Sequence, residues 1–398
     1  MPRPVPLGFS GPWKAVDVPA TIGTASASLP DFDTCLQKLG TTPKDSDLLN
    51  RMLYNKVRVC PNCNKPNGFT MRNCNACGTD ISTQSLSKTL NVFSGFMLGI
   101  AKSTFPLKIS LRSESKTSIV FDDLLALSPA HINVIPTKQF IPDWRYLLRR
   151  PAEGTIVAQT LAELAQATVK EQFLADKDWV GQFTKISDAT PFDVAKDLGM
   201  GFNFPPSQNQ LHLQCIFPVV LPYQYYLYER KTHFSQGRFF PVEYVVEVLK
   251  AATEKPLPAE LLQDETAIED IVAYFSTTHG IDAEKMRLAF VERFEKNYNK
   301  FQKWPTDRFS FVAKHDTATS NLLIERSDGS KAADEEQDSM KLVNADKLTL
   351  QNYGRPYDAE TGKPTGKFYQ FPATHIENDI EFWWNVADNL IHIQLSGK

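Results

Sequence analysis

Ser207-Gln208-Asn209-Gln210-Leu211-His212-Leu213-Gln214-Cys215-Ile216-Phe217 is the stretch on which the fold turns. Its alternation is a strand pattern, because successive side chains of an extended chain point to opposite faces. Gln210, His212 and Gln214 then share one face, and Leu211, Leu213 and Cys215 share the other. The apolar face is a core face. The polar face is more informative: two amides flanking an imidazole offer several neutral hydrogen-bond donors converging on one spot, a set suited to an anion, whereas a plain solvent face carries Lys, Glu, Thr or Arg. Read alone, the pattern leaves a second account open, a satisfied polar face beside a core histidine. The alternation runs from Asn209 to Val220 and ends at Pro222, and Gly199 to Gln208 before it reads as a loop by its Gly, Asn, Pro and Ser content.

Working outward, Leu107–Leu111, Ser118–Phe121 and Ile132–Ile135 are clusters of strand formers. From Asp143 to Asp178 the pattern changes to helix, strongest over Val157–Phe173, where apolar residues recur at three- and four-residue steps. Downstream, Pro241–Ala252, Glu265–Thr277 and Asp282–Trp304 read as helices, the last with Met286, Leu288, Phe290, Phe294, Tyr298 and Phe301 as its apolar stripe. Asp45–Leu53 is a further short helix. Residues 1–30, rich in Pro, Gly, Ser, Ala and Thr, read as an extended arm, and Ser327–Ser339 as a polar linker. Residues 342–398, with Phe382, Trp383 and Trp384, form an aromatic tail that must pack on the body or on a partner. No internal repeat is visible.

Composition excludes several classes. With 398 residues, 42% hydrophobic and 22% charged, the chain can bury one large core or two ordinary ones. The longest apolar stretch, Leu90–Ala101, has about 12 residues and includes Asn91, Ser94 and Gly95, short of the roughly 20 that span a bilayer. No membrane contact is expected. The first fifteen residues carry four prolines and no apolar run of the signal-peptide kind, while the lack of an acidic residue before Asp17 leaves an organellar presequence open. Lys and Arg number 43 against 46 Asp and Glu, so the basic excess that binds polyphosphate backbones is missing and nucleic acid is not the default partner. The expected setting is intracellular, in the cytoplasm or an organelle matrix.

Six cysteines in a chain this long do not make a disulfide scaffold, and four of them fall in two Cys-x-x-Cys pairs. Cys60-Pro61-Asn62-Cys63, ten intervening residues, then Cys74-Asn75-Ala76-Cys77 gives two knuckles, each able to present two thiolates to one tetrahedral zinc ion. Asn62, Asn64, Asn75 and Gly78 suit the tight turns. Four ligands close the site, so the zinc is expected to be structural. The alternative is a pair of free or redox-active thiols. Lys56, Arg58, Lys65 and Arg72 make the module locally basic and leave RNA contact open.

Val120-Phe121-Asp122-Asp123-Leu124-Leu125-Ala126-Leu127-Ser128-Pro129-Ala130-His131-Ile132-Asn133-Val134-Ile135-Pro136-Thr137-Lys138, then a helix, then the loop with Ser207, then the polar strand, together resemble the histidine triad (HIT) superfamily. In that family an acidic residue lies eight positions before a histidine in a Pro-x-His-hydrophobic-x-Val-Ile-Pro-x-Lys segment, and Asp123 to His131 repeats that spacing. The strand is similar to the His-x-His-x-Gln branch, which includes galactose-1-phosphate uridylyltransferase and diadenosine tetraphosphate phosphorylase, with Gln210 in place of the first histidine. The resemblance covers about residues 107–222. It implies an α+β fold, a HIT-like antiparallel sheet with flanking helices, to which a zinc ribbon and a helical C-terminal extension are added. It also implies that His212 is the nucleophile toward an α-phosphate, and that Asp123, His131, Ser207, Gln210 and Gln214 bind the nucleotide and its phosphates. The organisation that follows is an arm with a short helix (1–55), the ribbon (56–82), the HIT-like domain (105–232), a helical extension (236–326), a linker (327–341) and the aromatic tail (342–398).

The chemistry can be weighed on its own terms. An imidazole attacks phosphorus through one neutral nitrogen while the other keeps its proton, commonly by donating to a backbone carbonyl, and a carbonyl exists whatever residue occupies 210. Replacing histidine by glutamine removes a titrating group able to protonate a leaving group, an effect of about 10²–10⁴-fold in rate, so transfer with a good leaving group survives better than hydrolysis. The expectation is a nucleotidylyltransferase or phosphorylase acting on a nucleoside diphosphate sugar or dinucleoside polyphosphate. The alternative is a catalytically inactive subunit of a larger protein or RNA–protein assembly. Family members work as dimers or internal duplications, which makes a homodimer plausible here. Lys231–Arg238, with its cations, His233 and Gly237, can meet terminal phosphates or simply be a surface connection, and Tyr223–Tyr228 can stack a base or simply pack. His279, His315, His375 and His392 lack a motif.

Overall fold

The computed structural model describes residue 37, residues 42–302 except 63, 75–78, 92, 95–110, 116, 124–125, 138–139, 221–232 and 265, and beyond 302 only the strands named below. Helix α1 (Pro43–Leu53) leads directly into a three-stranded antiparallel sheet in which β1 (Tyr54–Val59) lies between β2 (Pro66–Gly68) and β3 (Leu86–Leu90). Cys60 directly follows β1. The next strands, β4 (Leu111–Glu114), β5 (Ser118–Asp122), β6 (His131–Pro136), β7 (Gly199–Asn203), β8 (Leu213–Ile216) and β9 (Phe239–Pro241), form one antiparallel sheet in the order β4-β5-β6-β8-β7-β9. The architecture is α+β.

Directly opposed residues of antiparallel strands share a face, so the register sorts the sheet into two. Asn133 opposes Gln214 and Phe121, and Ile132 opposes Cys215. One face carries Val120, Ile132, Val134, Met200, Phe202, Leu213 and Cys215, all in the main core. Helix α2 (Pro151–Thr168) packs there through Ala158, Leu161 and Ala165, spaced for one helical stripe, with proline at its first turn. Its last turn loosens into a π-turn over Val169–Leu174. Two short helices, α3 (Lys177–Phe183) and α4 (Val194–Asp197), follow, capped by Asp176 and Asp193. Helix α5 (Val242–Glu254) lies on the same side, where Gly154 permits close approach: a Cβ there would stand 2.7 Å from the Leu147 carbonyl and 3.1 Å from Leu249.

The opposite face carries Ile119, Phe121, His131, Asn133, Ile135, Gln214 and Ile216. After α6 (Ile268–His279), which ends on Gly280 at φ 69°, helix α7 (Ala283–Phe301) covers one end of that face. Phe290, Phe294 and Tyr298 from α7 join Leu127, Ile216, Val220, Phe234 and Phe239 in a second apolar cluster. Leu288, expected in the stripe, is exposed, so the buried face of α7 is narrower than its apolar content suggests.

The structure departs from the sequence reading in several places. Gly199-Met200-Gly201-Phe202-Asn203, expected to be loop, is strand β7. Met200 and Phe202 go into the core, and the glycines are required because aromatic rings occupy the other side: a Cβ at 199 would sit 2.7 Å from Phe294, and one at 201 would sit 2.4 Å from Phe239. The polar run forms a strand only over Leu213–Ile216, because residues 207–212 are held by partners outside the sheet. Strand β4 starts at Leu111, at the end of the stretch expected to be extended, and 107–110 lie outside the described residues. Strand β9 completes the main sheet from residues assigned to the helical extension. That extension also ends in a hairpin, β10 (Phe311–Asp316) with β11 (Asn321–Arg326). The expected tail contributes β13 (Gln370–Pro372), β14 (Ile380–Asn385) and β15 (Leu390–Leu395) to a four-stranded sheet with β12 (Met340–Leu342). The arm at 1–30, the linker at 327–339, Lys231 and Tyr223–Tyr228 lie outside the described residues.

Candidate functional site

His212 sits just before β8, 4% exposed, and its Nδ1 lies 2.9 Å from the carbonyl oxygen of Gln210. A carbonyl only accepts, so Nδ1 carries the proton and Nε2 holds the lone pair. Phe93 meets the ring edge-on at 5.1 Å between centroids and packs on Phe121 at the same distance. Nε2 makes no hydrogen bond with any described residue.

Strand β6 supplies the neighbouring groups. His131 Nδ1 accepts from the Leu127 N–H at 3.0 Å, so its proton is on Nε2, which is buried without a partner and lies 3.7 Å from Asp123 Oδ2. Asp123 continues the ladder beyond β5 by donating its N–H to the His131 carbonyl, and its Oδ2 accepts from Asn133 Nδ2 at 2.7 Å. Alternation separates it from Asp122, which turns to the other face and is held by both arms of Arg112 at 2.7 Å. Arg112 itself lies over the Phe173 ring. Between the two adjacent acids, the structure puts Asp123 beside His131.

The other expected residues separate. Gln210 is fully buried and its amide is committed to backbone, Oε1 accepting from the Ile141 N–H at 3.2 Å and Nε2 donating to the Pro136 carbonyl at 2.8 Å. Ser207 is exposed and makes no side-chain hydrogen bond with a described residue. Gln214 lies beside Asn133 with its Oε1 buried and unpaired. The structure therefore brings together Asp123, His131, His212 and Gln214, ties Gln210 into the frame and leaves Ser207 at the rim.

Sequence reasoning missed Asn133, Asn203 and Phe93. Asn133 was legible, since it is two residues from His131 and shares its face. Asn203 belongs to the strand read as loop. His233, weighed only as part of a connection, stands 5.8 Å from His131, ring centroid to centroid. Nine buried side-chain atoms lack a partner among the described residues, and five of them, on His131, Asn133, Asn203, Gln214 and His233, belong to this one group of elements. Folded proteins satisfy the great majority of buried polar atoms, so this clustering sets the group apart from the rest of the described residues.

Burial dominates the electrostatics. It pulls the basicity of both His131 and His212 down, against the opposing pull of Asp123 and, for His212, of the Gln210 carbonyl. His233 is pushed down to about 3, by burial first and then by His131 and Arg238. The three rings are neutral at pH 7.

The cysteine module is docked on the run that leads into His212. Asn209 donates its N–H to Asn55 Oδ1 at 2.7 Å and its Nδ2 to the Arg51 carbonyl at 2.8 Å. Asn55 Nδ2 reaches Gln208 Oε1 at 3.2 Å, and Asn91 Nδ2 is shared between the carbonyls of Met52 and Asn209. Gly68 abuts Pro205 so closely that a Cβ would fall 2.4 Å from the ring. Within the module, Cys60 and Cys74 are buried and repeat one turn: the Cys60 N–H donates to the Lys65 carbonyl at 3.0 Å and the Cys74 N–H to the Thr79 carbonyl at 2.8 Å. Asn64 takes a left-handed φ of 57° in the first knuckle, and Asn67 Nδ2 lies 3.6 Å from Cys74 Sγ. An amide donor on sulfur suits a thiolate ligand. Cys63 and Cys77 lie outside the described residues, and among the described residues no three His, Cys, Asp or Glu side chains gather as a metal site.

Comparison with known proteins returns histidine-triad-like structures. A Hit-like protein involved in cell-cycle regulation from Bartonella henselae matches at 20% identity over 32% of this chain and 76% of its own, with a TM-score of 0.18. The aprataxin ortholog Hnt3 from Schizosaccharomyces pombe matches at 11% identity over 49% of this chain and 90% of its own, with a TM-score of 0.27. Hnt3 in complex with DNA and guanosine matches at 13% identity over 50% of this chain and 92% of its own, with a TM-score of 0.24. No family model and no curated protein matches the chain. Overlays this loose assign no roles, and the site is read from its own residues.

The buried histidines set an acid limit on stability. The unfolded chain binds protons near pH 6.5 and the folded one only lower, so unfolding becomes easier as pH falls below 6.5, by up to about 1.4 kcal/mol per pH unit for each ring. The His233 share of this extends down to about pH 3. Urea titrations at stepped pH check it: substituting His233 by Gln flattens the slope, and an unchanged slope contradicts the burial.

Proposed function

We propose that this is a HIT-like nucleotide-binding protein that passes a nucleotidyl group through His212. The observation that carries the reading is the fixed tautomer of that ring among unpaired polar atoms. Nε2 presents its lone pair to an α-phosphorus, while the Gln210 carbonyl holds the Nδ1 proton and stabilises the positive charge that appears on the ring as the P–N bond forms. The P–O bond to the leaving group breaks, with its electron pair departing on that oxygen. An acceptor oxygen then attacks the same phosphorus and returns the P–N pair to Nε2. Neutral His131 and His233 are poor proton donors, so the arrangement favours leaving groups that need no protonation, such as a phosphate, and acceptors that arrive as anions. Nucleoside diphosphate sugars and dinucleoside polyphosphates have that chemistry. Gln214, through its Nε2, is the amide placed to meet the phosphate oxygens, Asn133 holds Asp123 through its Nδ2, and Asp123 is placed to meet a ribose hydroxyl.

One feature favours a second reading, binding without turnover. Phe93 packs against the imidazole and His212 is almost entirely buried, as expected for a subunit that holds a nucleotide or has lost its substrate.

Incubation with labelled nucleotides decides between them. Transfer predicts an acid-labile nucleotidyl adduct on His212 by mass spectrometry that His212→Ala abolishes. The absence of an adduct with every nucleotide tried, despite measurable binding, supports the second reading.

The cysteine module is proposed to hold one structural zinc ion through Cys60, Cys63, Cys74 and Cys77, stiffening the asparagine contacts to the His212 run. Metal analysis of the purified chain then gives one zinc per chain. Cys60→Ser together with Cys74→Ser loses it and lowers the unfolding midpoint; a metal-free, equally stable wild type contradicts the assignment.

A further inference from the structure

Phe93 meets the His212 ring edge-on, at an interplanar angle of 87°, and it comes from outside the sheet that carries the site. It lies three residues after β3, in the segment that leaves the cysteine module. It also packs on Phe121 of β5, at an angle of 71°. The register lines Phe121 up with Asn133 and Gln214 across three neighbouring strands, so Phe93 stands at the apolar end of that row. The bond from Nδ1 to the Gln210 carbonyl fixes one atom of the imidazole, and a ring could still swing about that atom. An aromatic edge in contact with it restricts the swing.

Phe93 is itself held. It is 8% exposed, and Asn91, two residues before it, is wholly buried and ties the segment down. The Asn91 N–H donates to the Leu53 carbonyl at 2.7 Å, its Nδ2 donates to the Met52 and Asn209 carbonyls at 2.9 and 3.0 Å, and its Oδ1 accepts from the Ser94 N–H at 3.3 Å. Met52 and Leu53 end helix α1, and the last carbonyls of a helix have no partner inside it. The free carbonyls of that helix therefore anchor the segment whose next aromatic residue touches the imidazole. A side chain packed between two rings and pinned through its backbone is built to stay in place rather than to swing aside.

We propose that Phe93, anchored by Asn91, is a positioning residue for His212: it holds the imidazole with Nε2 facing the incoming phosphorus, so that the cysteine module supplies one wall of the site. The inference rests on the proposed transfer reading for its chemistry. It runs against the account in which Phe93 obstructs the ring, and the two accounts predict opposite effects of removing the phenyl group.

Phosphoramidate reads the ring without any nucleotide, because this small donor passes its phosphoryl group to an imidazole nitrogen and releases ammonia. The test follows phosphorylation of His212 in the full chain by mass spectrometry at about pH 8, where the buried ring is neutral, with circular dichroism as the folding control. Phe93→Ala slows the reaction by about 10- to 100-fold, the usual cost of a misplaced reacting group. Phe93→Leu slows it less, and Asn91→Ala follows Phe93→Ala; these two variants judge the inference if Phe93→Ala does not fold. Nitrogen-15 spectra of the histidine rings give a second readout that a merely structural role would not move. In wild type His212 carries its proton on Nδ1, while in Phe93→Ala the tautomers mix and the ring titrates at higher pH as burial is lost, with Asp123 and His131 as the titrating neighbours that act on it. Phosphorylation as fast as wild type or faster in folded Phe93→Ala, or an unchanged tautomer and titration, overturns the inference. Failure of every nucleotide to form an adduct, with the phosphoramidate pattern as expected, sinks the transfer reading and upholds the positioning of the ring.

Discussion

A single hydrogen bond, from His212 Nδ1 to the carbonyl of Gln210, sets the character of the site. It comes from backbone two residues away, so it survives any side chain at 210 and leaves the opposite nitrogen with its lone pair at neutral pH. The rest of the structure keeps that carbonyl in place. The Gln210 side chain is locked to the backbone at Ile141 and Pro136, and the preceding residues are held by Asn55, Asn91 and Asn209. The glutamine at 210 thus serves the geometry of its neighbour.

The sheet divides its labour by alternation. One face is apolar from β5 to β7 and buries itself under α2 and α5, which makes the frame stiff. The other face is apolar at Ile119, Phe121 and Ile135 and where α7 and Phe239 cover Ile216, and polar where His131, Asn133 and Gln214 lie. Buried polar atoms without partners carry a free-energy cost of about 1–3 kcal/mol each. Their concentration on one patch is a local cost that a bound ligand would relieve.

Much of this was legible in the chain. The alternation of Gln210, His212 and Gln214, the eight-residue step from Asp123 to His131 and the apolar stripe of α2 depend on short-range geometry, which sequence records directly. What escaped depends on tertiary packing. Strand β7 was hidden because Gly199 and Gly201 signal a turn locally, and only the rings of Phe294 and Phe239, distant in sequence, explain why glycine must be there. The end of β8 was misplaced because side-chain amides of the cysteine module, more than a hundred residues earlier, replace sheet partners for residues 208–209. His233 looks like part of an ordinary connection until the fold sets it beside His131.

The central claim is that the polar face around His212 receives a nucleotide, its phosphate at His212 Nε2 and Gln214 Nε2. A crystal structure of the chain with a bound nucleoside monophosphate tests this most directly. The predicted result is a phosphate oxygen within hydrogen-bond distance of Gln214 Nε2, with the phosphorus facing His212 Nε2. A nucleotide seated elsewhere, with Gln214 and Asn203 satisfied by ordered water or by the chain itself, would contradict it.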